Sequence, residues 1–240
     1  SDLAKAIHVL THPTPQGTYL DPTWPVPHAE DRSRPVDIPL DTAVNTSTHS
    51  PYGDEWDMLW LGHCGAQLTD ESPQAFPRGR VTWLDDSVPA HQWIRYPMEH
   101  VLVNQYPNHT RAVHHSVGNV CTFGYAVTQK MARRLLWHLG VRTMNAPIDL
   151  EYAQICEGRW TPTSPRCYTV EPPYFTMHRP AGSMALLSDI QGWSGFQEVD
   201  FTPNLRYSVM ANIDNWVEGM PLVDIAPDDK MPAWTGNGQK

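Results

Sequence analysis

The sequence contains no run approaching the roughly 20 apolar residues that cross a bilayer, and no charged-then-apolar leader opens it. An anchor or a signal, if the protein has one, lies outside these 240 residues. There is no Lys/Arg-rich stretch either: 17 basic side chains stand against 26 acidic ones, a formal charge of −9, and the pI is about 5.7. That balance argues against a nucleic-acid partner or an anionic membrane surface. No internal repeat recurs, which excludes a solenoid. The four cysteines include no Cys-x-x-Cys pair, so a zinc ribbon or a dithiol redox motif is excluded. No Gly-x-Ser-x-Gly elbow is present, and a Ser-His-Asp hydrolase finds no support.

Abundance lies in proline and tryptophan, 23 and 10 residues. With a hydrophobic content of 40% over this length, the chain buries a core as one domain, or at most two small ones. Eight prolines fall between 13 and 55, among Thr, Ser, Asp and His without periodicity, and mark a long excursion. Tryptophan-rich loops suit sugars as well as packing.

Two sequons, Asn45-Thr46-Ser47 and Asn108-His109-Thr110, offer glycosylation sites. Cys156 and Cys167 flank a Gly/Pro-rich loop, 158–165, and a local disulfide between them is expected. Sequons arise by chance and buried free thiols are common, but together these features point to an oxidising secretory compartment.

Several segments declare their structure. Leu3, Ala6, Ile7 and Leu10 share one face of a helix that Ser1 or Asp2 caps. The chain thus opens inside an amphipathic element, and an upstream portion is expected. Trp56–Leu61 reads as a buried strand that stops in a Gly62-His63-Cys64-Gly65 turn, the way a sheet delivers polar side chains to a site. Arg80–Leu84 and Val101–Val103 are further candidate strands. Cys121–Val127 alternates as a strand, Thr128 caps a helix, and Met131, Leu135 and Leu139 with Ala132 and Leu136 form its apolar stripe up to Gly140. A second helix begins near Pro147, with Ile148, Tyr152 and Ile155 facing the core and Asp149 at its positive end. An α/β fold follows, with Trp56–Leu61 and Cys121–Val127 as central strands and the Thr128–Leu139 helix on one sheet face.

The order of four blocks resembles a fungal member of glycosyltransferase family 25, the collagen galactosyltransferase-like and lipopolysaccharide-biosynthesis glycosyltransferases. They are Trp-Asp-x-Leu-Trp-Leu-Gly-His-Cys-Gly (56–65), Gly-Tyr-Ala-Val-Thr-Gln before an Ala-Arg-Arg-Leu-Leu helix (124–136), Ile-Asp-Leu to Cys-Glu-Gly (148–158), and Thr-Val-x-Pro-x-x-Phe with His-Arg-Pro-Ala-Gly and Ser-Asp-Ile (169–190). The resemblance covers a domain over 1–190, including the 13–55 excursion, and leaves 191–240 as a carboxyl-terminal extension.

What the resemblance implies is a partial GT-A-like, Rossmann-like mixed sheet with flanking helices and long Pro-rich loops. Its enzymes use a divalent metal such as Mn²⁺ to move a sugar from a nucleotide-sugar donor to a glycan or protein acceptor in the secretory pathway, in the Golgi lumen or outside the cell. On the matched positions Asp149 is the acceptor-side catalytic carboxylate, His178 the metal ligand, and Trp60, His63 and Asp189 line the cleft. One departure matters: the family's acidic Asp-x-Asp element, expected just upstream of the first helix, is absent. Asp85-Asp86 and Asp228-Asp229 read as solvated turns outside the required strand context. This chain is therefore expected to be incomplete or inactive by itself, the alternative being a non-catalytic secreted protein that binds glycan or protein on a reduced form of the same scaffold. His114-His115, adjacent on a strand, point to opposite faces and do not share one ion.

Overall fold

The computed structural model describes residues 1–13, 15–16, 36–45, 49–68, 77–95, 102–159, 165–186, 192 and 194–232. Among the described residues the strands are β1 (Val36–Pro39), β2 (Met58–Gly62), β3 (Gly79–Leu84), β4 (Thr110–His115), β5 (Gly124–Val127), β6 (Cys167–Glu171), β7 (Gly182–Ser183) and β8 (Phe196–Gln197). The helices are α1 (Asp2–Thr11), α2 (Leu102–Gln105), α3 (Gln129–Leu135), α4 (Ile148–Cys156) and α5 (Val209–Glu218). Six strands form one mixed sheet in the order β1-β3-β4-β6-β2-β5, and β7 pairs with β8 apart from it. Within the sheet β1, β3, β6 and β2 run in one direction and β4 and β5 in the other.

The pleat sorts side chains between two cores. Leu59, Val81, Val113, Tyr168 and Val170 meet Ala6, Ile7 and Leu10 of α1 on one face. Met58, Trp60 and Cys167, the alternate residues, meet Met131, Leu135, Tyr152 and Ile155 of α3 and α4 on the other. A strand covered on both faces has no polar side to show, which is why β2 reads as an unbroken apolar run. The oxygen of Ser1 caps α1 by accepting from Ala4 N at 3.5 Å, and that of Thr128 caps α3 by accepting from Met131 N at 3.2 Å.

A mixed α/β sheet with flanking helices is thus the architecture, and four local expectations are corrected. The predicted central strand Cys121–Val127 shrinks to β5, an edge strand, because Cys121 takes a left-handed conformation (φ 64°) and turns the chain before pairing starts. Of the expected strand Val101–Val103, Leu102 and Val103 instead open the one-turn α2, where Leu102 packs with Val88, Ile94 and Ala112, and Val101 lies outside the described residues. Three apolar residues carry too little period to tell the two apart. Gly140 does not stop the third helix, which continues as a π-helical stretch to Arg142, leaving Leu136 71% exposed. Ile148 is 46% exposed rather than core, since it sits where α4 begins. A fifth expectation is corrected in the 13–55 excursion, read as neither strand nor helix: Val36–Pro39 forms β1 and pairs with β3, while 14, 17–35 and 46–48 lie outside the described residues.

Burial of charge organises one end of the sheet. Arg111 of β4 is fully buried and donates from Nε to Asp85 Oδ2 (2.6 Å), from Nη1 to Pro172 O (2.5 Å) and from Nη2 to Ser87 Oγ (3.0 Å). Its guanidinium lies 4.1 Å from the centre of the Tyr174 ring. Asp85 directly follows β3, so it is an anchored strand end and not a solvated turn. Burial works against its charge, and hydrogen bonds from Ser87 and Arg111 outweigh that, holding the carboxyl below the usual carboxylate range.

Two disulfides close the fold. Cys156–Cys167, with Cα atoms 5.7 Å apart, forms as expected from the sequence, and Cys64–Cys121 joins the end of β2 to the turn before β5 with Cα atoms 5.4 Å apart.

Two predictions follow from burial and connectivity. The bridges span 57 and 11 residues, so loop entropy assigns about 4 kcal/mol to Cys64–Cys121 and about 3 kcal/mol to Cys156–Cys167. Urea unfolding of the C64A/C121A and C156A/C167A double variants is expected to show the larger loss in the first. Asp85→Asn leaves a buried guanidinium short of its counter-charge and is expected to cost about 3 kcal/mol at pH 7. Because the folded carboxyl titrates below its unfolded value, the stabilisation is complete above about pH 4 and is lost as pH falls further. The stability difference between wild type and variant in urea unfolding should therefore narrow steadily as the pH is lowered below about 4.

Candidate functional site

The carboxyl end of β2 gathers the separated blocks of sequence into one corner. Phe123 N and Tyr174 N donate to Gly62 O and Leu61 O, at 3.0 and 2.8 Å, while Cys64 N donates to Val120 O at 2.8 Å. Glycine is required here by close approach: a Cβ on Gly62 would stand 2.6 Å from Phe175 Cβ, and one on Gly124 2.7 Å from the Phe175 ring. The 174–175 segment can cross the strand ends only because both side chains are missing.

Cys121 is the centre of this corner. Its sulfur is bonded to Cys64, its N–H donates to Asp149 Oδ2 at 2.8 Å, and its carbonyl accepts from Trp60 Nε1 at 2.9 Å. Asp149, at the start of α4, also accepts from Leu150 N at 3.0 Å. Its two oxygens thus hold backbone N–H groups and each retains acceptor capacity. The Asp149 residue is partly exposed, and one turn further along α4 the Tyr152 hydroxyl lies 3.3 Å from that of Tyr125. Tyr125 is 42% exposed and Phe175 52%, so aromatic faces flank the edge strand.

Trp60 and His63 do not line an open cleft, since both are buried. Trp60 packs against Tyr152 and braces Cys121. His63 donates from Nε2 to Val170 O at 2.9 Å, and its buried Nδ1 has no hydrogen-bond partner. Burial pulls its pKa down, so the ring is neutral. Two of the expected residues, Asp149 and Trp60, are therefore bonded to Cys121, while His63 precedes its disulfide partner Cys64 in the chain and turns to Val170.

His178 keeps different company. Thr202 donates its hydroxyl to Ser208 Oγ (2.7 Å) and so accepts from His178 Nδ1 (3.0 Å), which leaves a lone pair on Nε2, 3.9 Å from Asp200 Oδ2. These residues border a cavity of about 70 Å³ walled by Trp93, Phe201 and Ile225. As a divalent-metal site the arrangement is incomplete: one imidazole and one carboxylate converge, and no group of three ligating side chains occurs among the described residues. Asp189 lies outside the described residues. Asn45 and Asn108 are both exposed, and Asn108 accepts from His91 N at 3.0 Å through Oδ1.

Sequence reasoning missed a buried polar group beside the corner. His114 Nε2 lies 3.8 Å from Glu171 Oε2, and both residues are buried along with His63. His115, on the opposite face, packs on Tyr168 and is pushed down to about 3 by burial and by His114. The available signal was charged residues inside buried strands, Arg111 and Glu171, which require partners across the sheet. Among the described residues no helix is long and apolar enough to cross a membrane. No family model matches the sequence, and comparison with curated proteins and with solved structures finds no match.

The Asp149 contacts make a prediction about stability. Asp149→Ala removes the acceptor of the Cys121 N–H and is expected to cost about 1 to 2 kcal/mol in urea unfolding. Asp149→Asn keeps one acceptor oxygen and should cost less than half as much.

Proposed function

We propose that the chain carries the acceptor side of a family 25-like sugar transferase, with the Cys121 corner as its glycan-contacting surface. One observation supports this reading: blocks far apart in sequence, the end of β2, the 118–124 turn, the start of α4 and the 172–175 segment, converge on one disulfide-pinned corner bearing a partly exposed carboxylate. In such a transferase, Asp149 orients or deprotonates the attacking acceptor hydroxyl and the Tyr125 ring stacks on a sugar face. His178 and Asp200 offer two donors toward Mn²⁺, which do not amount to a metal centre, so no step is assigned to a metal. Two disulfides favour maturation in an oxidising compartment, and the Golgi lumen or the cell exterior is the location proposed.

The experiment is a pair of titrations on the 240-residue chain. Oligosaccharides, followed by NMR or calorimetry, are expected to bind at the Cys121 corner, with Asp149→Asn and Tyr125→Ala each lowering affinity by about tenfold, the value of one charge-assisted hydrogen bond or one stacking contact. Uridine- and guanosine-diphosphate sugars with Mn²⁺ are expected not to bind at micromolar concentration. Tight, metal-dependent donor binding would place the donor site on this chain, and glycan binding unaffected by both substitutions would sink the proposed corner.

A further inference from the structure

Away from that corner, α1 carries two histidines one turn apart, His8 and His12, against the turn that precedes β2. Their protonation is set by what each ring touches. Thr11 donates its hydroxyl to Ile7 O at 2.7 Å and therefore accepts from His12 Nδ1 at 2.8 Å, which leaves the His12 lone pair on Nε2. His8 hydrogen-bonds the Ser50 backbone while its buried Nε2 has no partner, so that bond is made through Nδ1 and the lone pair is again on Nε2. Burial lowers the pKa of both rings, and for His8 the neighbouring His12 adds to this, so both are neutral ligands at pH 7.

The two rings meet at one place, edge to face with 76° between their planes. Their centroids are 5.0 Å apart, and two imidazoles on a single tetrahedral Zn²⁺, with bonds of about 2 Å, have centroids about 5 Å apart. Gly53, at φ +88°, borders that place: a Cβ there would stand 2.9 Å from His12 Cε1 and 3.0 Å from His8 Cδ2. Its turn is fixed by Gly53 N donating to Ser50 O at 3.1 Å and by Trp56 Nε1 donating to Gly53 O at 3.0 Å. Asp54 follows, its charge acting on both imidazoles and its Oδ2 lying 3.6 Å from His49 Nδ1.

We propose that His8 and His12 form a binding site for a borderline divalent ion of the Zn²⁺, Ni²⁺ or Cu²⁺ class, held by their Nε2 atoms beside Gly53. Among the described residues no three such side chains already surround one point. The two imidazoles are therefore the fixed ligands, and Asp54 with water completes the shell on binding. The Thr11 hydroxyl and the Ser50 carbonyl, bonded to the far nitrogens, orient the rings as outer-sphere partners of metal-bound histidine do. An ion here ties α1 to the turn leading into β2. Hard ions such as Mg²⁺ and Ca²⁺ prefer all-oxygen shells and are rejected.

Calorimetric titration of Zn²⁺ into the metal-stripped chain is expected to show one saturable site. At a free concentration about 100 times Kd, the melting temperature should rise by about 5 to 10 °C. His8→Gln and His12→Gln should each weaken binding by about 10- to 100-fold, His178→Gln should leave it unchanged, and Mg²⁺ should not compete. Affinity should fall only as pH drops below the ordinary imidazole range, because burial holds both ligands neutral until then. Electron paramagnetic resonance of the wild type with one equivalent of Cu²⁺ requires no variant and should show coupling to two imidazole nitrogens. Absence of saturable Zn²⁺ binding, binding that survives both substitutions, or a Cu²⁺ spectrum without two nitrogens overturns the site. None of these outcomes bears on the Cys121 corner, which contains no α1 residue.

Discussion

A guanidinium taken out of water must have its charge and its donors matched, and Arg111 imposes that requirement on the middle of this fold. Its partners come from three stretches of chain, the Asp85–Ser87 turn after β3, Pro172 after β6 and the Tyr174 ring. Unless those stretches arrive together, a buried cation is left uncompensated. Alignment of the carboxyl ends of β3 and β6 is thus demanded by electrostatics as well as by strand pairing. The same requirement brings Tyr174 and Phe175 over the end of β2, where the glycan-contacting corner is proposed.

The corner itself is stiffened by covalent and polar ties to a single residue. Cys121 is bound through its sulfur and its carbonyl to β2 and the turn that ends it, and through its N–H to α4. Each tie limits a different freedom of a left-handed turn that would otherwise be costly for a residue with a Cβ. A carboxylate held by backbone donors keeps one geometry, which is what orientation of an incoming hydroxyl requires. His63, beside Cys64 in the chain, contributes to the packing under this surface rather than to the surface itself.

Much of the architecture was legible because local chemistry and tertiary need agree there. The apolar run of β2, the caps at Ser1 and Thr128 and the Cys156–Cys167 bridge each follow from a pattern only a few residues long. Legibility failed where a residue's role depends on something remote in sequence. Leu136 and Ile148 satisfy a helical stripe, yet no sheet surface reaches them. Asp85 looks like any acidic turn until Arg111 is placed beside it.

By itself, then, the sequence determined the kinds of most elements, the buried character of β2, the proximity of Asp149 to a helix start and the bridge closing a short loop. Each rests on interactions within a few residues or on a periodicity of two or 3.6. Tertiary structure alone decided the strand order, the edge position of β5, the Cys64–Cys121 pairing, the burial of Trp60 and His63 and the meeting of His8 and His12 with Gly53. Those depend on which distant surfaces meet, and that is settled by burying apolar area and matching buried charge over the whole chain at once.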